Sequence, residues 1–91
     1  MTLRSAINTL VLSLAFVVQA AFAAPDSVNV NAADAETLAA VLDGVGMARA
    51  EAIVDYRQEN GRFNDIYDLA NVKGIGDRTI ELNESRIRLA D

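Results

Sequence analysis

The sequence contains no cysteine, no histidine and no tryptophan, and only one proline among 91 residues. The missing thiols and imidazoles exclude a disulfide framework, a thiolate or imidazole metal site, a Ser-His-Asp triad and any imidazole acid–base step. Aromatic residues are also scarce, at 5% of positions, and basic side chains are outnumbered 8 to 13 by acidic ones. At 9.8 kDa there is room for one small domain. What remains is backbone chemistry, carboxylates and a few cations.

Charge is missing altogether from Ser5 to Pro25. Arg4 and the amino terminus give this stretch a positive start, Leu10–Val18 is an apolar run, and Ala21-Phe22-Ala23 places small residues where a signal peptidase inspects them. Residues 1–23 are expected to be a signal peptide cut between Ala23 and Ala24. A retained membrane anchor is the rival reading, but the run is diluted by Ser5, Asn8, Thr9, Ser13 and Gln19. Residues 24–91 hold seven basic and thirteen acidic side chains, net −6. Such a short chain without disulfides must be stabilised by packing, which favours a compact, locally connected fold.

After a short extended lead-in over residues 24–30, the patterning is helical. Val28-Asn29-Val30-Asn31 alternates too briefly to make a sheet by itself. Asn31 is the expected cap of a first helix, with Asp34 as the acidic member of a capping box and with Ala35, Leu38, Val41 and Leu42 as its buried stripe. A second helix is predicted from near Met47 to Glu59, with Ala50, Ile53, Val54 and Arg57 on one side and Gly61 in a left-handed closing position. Phe63 anchors the core. Asn64 or Asp65 caps a short helix through Ala70, with Ile66 and Leu69 inward. Asp77 caps the last helix, in which Ile80 and Leu82 point inward before alternation returns at Arg86–Leu89.

The organising feature is a repeat: Leu42-Asp43-Gly44-Val45-Gly46 recurs thirty residues later as Val72-Lys73-Gly74-Ile75-Gly76. Each copy falls between two helical patterns. Two glycines around one aliphatic residue let the backbone approach a partner closely while the aliphatic side chain turns into the core. The amides exposed there, at the start of a following helix, suit a phosphate.

An apolar-x-Gly-aliphatic-Gly turn between helices resembles the helix-hairpin-helix motif, and the tandem pair resembles the DNA-binding domain of ComEA-like competence proteins. Val28-Asn29-Val30-Asn31-Ala32-Ala33, Ile53-Val54-Asp55-Tyr56-Arg57, Gly61-Arg62-Phe63 and Asp68-Leu69 through Gly76 are similar to that family's pattern in the same order. The resemblance implies a compact all-α domain of four to five short helices over residues 31–91, with hairpins at 42–46 and 72–76. It also implies sequence-independent binding of double-stranded DNA during uptake in natural transformation. The location implied is the periplasm of a Gram-negative cell, with an inner-membrane anchor as the alternative. Implied partners are DNA phosphates, the uptake machinery at the membrane and several copies of the chain on one strand.

Carried over residue by residue, the DNA-facing positions are Gly44, Val45 and Gly46 in the first hairpin and Gly74, Ile75 and Gly76 in the second. Arg49 follows the first hairpin closely, and Lys73, Arg78 and Thr79 reinforce the second. Val45 and Ile75 would contribute backbone, their side chains being core. Asp43 and Asp77 depart from the family pattern: a carboxylate there repels phosphate, or caps the next helix and occupies the amides that phosphate would use. If three or four of Arg49, Arg57, Lys73, Arg78, Arg86 and Arg88 share the hairpin face, the salt slope is roughly −3 to −4. Arg57, more than two turns beyond the first hairpin, is expected to pair with an acidic neighbour instead.

Glycosylases that share the motif place a catalytic lysine two residues after the second glycine. Here those positions are Ala48 and Arg78, and arginine cannot form a Schiff base, so no catalytic residue is expected. Asp65 and Asp68 have the spacing of a cap rather than a metal site, and neither metal nor cofactor is expected. Tyr56, Phe63 and Tyr67 are read as core rather than as a stacking platform, which favours duplex over single strand. The competing function is an exported protein–protein interaction module that binds no DNA, as in other exported subunits with tandem motifs.

Overall fold

A computed structural model describes residues 25–91; the predicted signal segment and its cleavage point lie outside the described residues. The order is strand β1 (Val28–Asn29), helix α1 (Ala35–Val41), helix α2 (Gly46–Asn60), a 3-10 helix (Ile66–Asn71), helix α3 (Asp77–Leu82), a 3-10 turn (Glu84–Arg86) and strand β2 (Ile87–Arg88). The architecture is helical, with one addition. The alternation at residues 28–31, too brief for a sheet alone, pairs in parallel with the alternation at the far end, Val28 with Ile87 and Asn29 with Arg88. Two short segments together satisfy backbone groups that neither satisfies alone.

The helix starts differ from the sequence expectation in which residue does the capping. Asp34, not Asn31, caps α1, its carboxylate accepting from the Thr37 amide at 2.8 Å. Asn31 is used for tertiary structure. Its Oδ1 accepts from the Phe63 amide at 2.7 Å, and its Nδ2 donates to the carbonyls of Phe63 and Leu89, each at 2.9 Å. One carboxamide thus joins the lead-in, the central loop and the C-terminal segment. The 3-10 helix is capped by Asp65, which accepts from the Tyr67 amide, while the Asp68 carboxylate reaches back to the amides of Asn64 and Asp65. Asp77 is not a cap but the first residue of α3, whose cap is Gly76. Gly61 ends α2 at φ 92, ψ −176, a positive-φ extended conformation and not the left-handed helical one.

The core contains the residues that the helical periodicity selects. Leu38, Val41, Leu42, Val45, Ala50, Ile53, Phe63, Leu69, Val72, Ile75 and Ile80 are all buried, and Ala35 and Val54 pack against them. Burying a side chain such as Leu38, Ile53 or Phe63 stabilises the fold by about 1.5–3 kcal/mol each. Phe63 is stacked against Tyr56 at a ring separation of 5.4 Å. Two residues fall outside the expected core: Leu82 is 60% exposed and Tyr67 45%. Leu82 lies two residues beyond the inward Ile80, about 200° round a helix, so the two cannot share a face.

Asn83, just past α3, is a buried polar residue that periodicity does not mark, at 1% exposure. Its Oδ1 accepts from the Asp43 amide at 2.8 Å, and its Nδ2 donates to the Asp43 and Thr79 carbonyls at 2.9 Å each. The whole amide is satisfied, and the first glycine turn is bound to the end of α3. Asn83→Asp removes both donations and sets a carboxylate against two carbonyls. Urea unfolding should show a loss of about 2–4 kcal/mol; an unchanged midpoint would refute this role. The Thr37 amide holds the Asp34 carboxyl below its ordinary value of 3.8. Its stabilising effect is therefore present above that value and is lost as pH falls through the lower folded one. Asp34→Asn should flatten the acid limb of a stability-against-pH profile below pH 4, whereas an unaltered limb would show that the cap makes no such contribution.

Candidate nucleic-acid interface

The two glycine turns open alike and close differently. Each opens with an extended residue closing the preceding helix, Leu42 at φ −87, ψ 118 and Val72 at φ −80, ψ 131. Gly44 and Gly74 follow at φ 76 and 91, a region that a side chain would strain. Val45 and Ile75 are then buried, so the aliphatic member of each turn is an anchor and not a DNA-facing side chain. The fifth residues differ: Gly46 keeps a positive φ of 68, whereas Gly76 lies at φ −109, ψ 173. All four glycines are exposed.

The helices that begin at the two turns have no side-chain cap. Val45 before α2 and Gly76 before α3 make no capping bond, in contrast to the Asp34 and Asp65 carboxylates at the other two starts. First-turn amides at a helix start have no intrahelical acceptor, so those at the glycine turns are open to an outside one. The two troublesome carboxylates do not fill that role. Asp43 turns to Arg86, forming an ion pair at 3.2 Å, and Asp77 makes no capping bond.

The cations are distributed unevenly. Arg57 does not pair with an acid; its Nη1 donates to the Val30 carbonyl at 2.9 Å. Arg62 donates to the Leu89 carbonyl, Arg86 is paired with Asp43, and Arg88 bonds Ser27, the Ala90 carbonyl and the Asp91 carboxylate. Lys73 and Arg78 make no hydrogen bond or ion pair to the described residues, and both are exposed beside the second turn. Arg49 joins them there. From the first turn of α2 its Nε donates to the Gly74 carbonyl at 2.9 Å. The structure thus brings Arg49, Lys73 and Arg78 to the Gly74–Gly76 turn, together with Thr79, which is half-buried in α3. It directs Arg57, Arg86 and Arg88 into other bonds.

Exposed Tyr67 is surrounded by charge of the opposite sign. Desolvation, and then the carboxylates of Glu84, Glu81, Asp77 and Asp65, push its phenol above the ordinary value. A ring among carboxylates repels a phosphodiester strand and makes a poor stacking platform. Asp65 and Asp68 are occupied as caps, and among the described residues no group of three or more Asp or Glu is placed to hold a metal ion. Sequence reasoning missed Asn83 and counted Arg86 only as one cation among six; both hold the first turn from the C-terminal side. Asn83 falls at helical spacing after Ile80, but a polar side chain gives no apolar signal there, and a separation of 40 residues from Asp43 leaves no local one.

Comparison with known proteins accords with this geometry. The profile of the family described as "Helix-hairpin-helix motif" matches residues 24–88. ComE operon protein 1 of Bacillus subtilis (strain 168) is 48% identical over 60 residues, which is 66% of this chain and 29% of the relative. An uncharacterized protein of Haemophilus influenzae (strain Rd) is 44% identical over 62 residues, 68% of this chain and 55% of that one. The chain therefore spans about half or less of the length of these curated relatives. With both glycine turns and the core between them inside the matched region, the chain belongs to the helix-hairpin-helix motif family and is a ComEA-like member of it.

Proposed function

We propose that residues 24–91 bind double-stranded DNA without sequence preference, as a periplasmic receptor that retains DNA entering the cell during natural transformation. Membership of a ComEA-like helix-hairpin-helix family supports a competence-related DNA-binding role at the level of the family. The observation that carries the reading for this chain is the contrast in capping. Aspartate side chains close the helix starts remote from the turns, while those at the two glycine turns stay open, the second of them beside the uncommitted cations. Backbone amides and cations read phosphate and not base edges, which predicts little sequence preference.

With three cations at the second turn, the logarithmic salt slope is about −2.7, shallower than six dispersed cations would give. Binding by one copy is then weak, and retention depends on several copies accumulating on one long duplex. No helix among the described residues is long and apolar enough to cross a membrane. Export and the periplasmic location rest on the uncharged segment before Pro25.

Gly76 offers a clean separation of binding from folding. A Cβ there meets nothing within 4 Å and its φ suits any residue, whereas substitution at Gly44 or Gly74 strains the backbone. Gly76→Asp supplies a capping carboxylate to α3 and should leave stability unchanged or raise it by up to about 1 kcal/mol. The same carboxylate occupies the amides and repels phosphate. Anisotropy of a labelled 30-base-pair duplex should show salt-sensitive binding by the unaltered protein and at least about tenfold weaker binding by the variant. Equal binding by both would remove the second turn from the site. No binding by the unaltered protein at low salt and tens of micromolar would favour the protein–protein reading.

A further inference from the structure

The side chain of Arg49 lies across the gap between the two turns. It belongs to the helix that follows the first turn, yet its one hydrogen bond among the described residues is to the second, from Nε to the Gly74 carbonyl at 2.9 Å. The contact extends along the side chain: a Cβ on Gly74 would lie 3.0 Å from Nε, 3.4 Å from Cγ and 3.5 Å from Cδ. Gly74 is therefore constrained twice, by its positive φ and by the arginine stem lying over it.

We propose that Arg49 is a positioning residue that fixes the second turn for phosphate and adds its own charge there, so that DNA is held asymmetrically, mainly at Gly74–Gly76. The inference rests on the DNA-binding reading above. A guanidinium is planar, and committing its single Nε donor to a carbonyl sets the plane while the Nη donors remain on the exposed side. The turn is held and the charge aimed by the same group. Neutralising the Gly74 carbonyl also removes a partial negative charge from the path of a phosphate. Among the described residues the first turn retains no unpaired cation: Arg86 beside it is paired with Asp43, and Arg49 is directed to its counterpart. Lys73 and Arg78, which make no bond to the described residues, complete a set of three beside one turn.

Lysine cannot substitute, because one ammonium on a flexible stem has no second, geometrically fixed donor face. The test uses the purified protein and its Arg49→Lys and Arg49→Ala variants, with duplex anisotropy across salt and amide hydrogen exchange without DNA. Arg49→Lys should keep the salt slope of the unaltered protein but bind about five- to tenfold more weakly, with faster exchange at Ile75 and Gly76. Arg49→Ala should show the same faster exchange and a slope shallower by about 0.9, the effect of one lost phosphate contact. Lysine matching arginine in both affinity and exchange would overturn the positioning role. An unchanged slope in the alanine variant would overturn the three-cation arrangement. Failure of the unaltered protein to bind DNA would overturn the reading on which the inference rests, whereas faster exchange in both variants establishes the latch independently.

Discussion

The carboxamide of Asn83 is the constraint on which the placement of the first turn depends. Peptide groups in a tight turn have no ladder to join, and burying their edge against the core would leave them unpaired at a cost of about 1–3 kcal/mol each. Asn83 presents a donor and an acceptor side by side and engages both groups of Asp43, as a neighbouring strand would. Asn31 does the same for Phe63. Two side-chain amides thus do locally what a sheet does over a longer distance, and the only sheet among the described residues is the two-residue pairing of β1 with β2.

A chain with net charge −6 over residues 24–91 approaches a polyanion only if its charges are segregated. Backbone carbonyls and carboxylates consume four of the arginines at the lead-in, the central loop and the C-terminal segment. Carboxylates are correspondingly consumed as caps at Asp34, Asp65 and Asp68. The turn at Gly74–Gly76 retains uncommitted positive charge because structural bonding has drawn on the basic residues elsewhere. Net charge is thus a poor guide to the local field, which is set by which side chains are left unspent.

The helices, their apolar stripes and the two turns were legible in the sequence because they are local. Periodicity placed Leu38, Ile53, Leu69 and Ile80 in the core, and the recurrence of Gly-x-Gly marked both turns. What was not legible involves partners far apart in the chain. Asn31 has the composition of a cap, and only the position of Phe63 draws its side chain away. Arg57 has acidic neighbours on its helix, yet the Val30 carbonyl is the acceptor that the fold brings within reach. The candidate site was legible as a set of residues, but not as an asymmetric one. The identical spacing in the two copies gave no sign that Gly46 and Gly76 adopt different backbone conformations, or that Arg49 serves the turn it does not adjoin.

The pairing of Val28–Asn29 with Ile87–Arg88 has a mechanical consequence. Because the strands run parallel, the chain enters at one end of the pair and leaves at the other. Tension between the segments flanking the domain therefore loads the interstrand bonds, including that from the Val30 amide to the Arg88 carbonyl, in shear and all together. An antiparallel closure would peel one bond at a time. The domain is thus clasped at its two ends in the geometry that yields last.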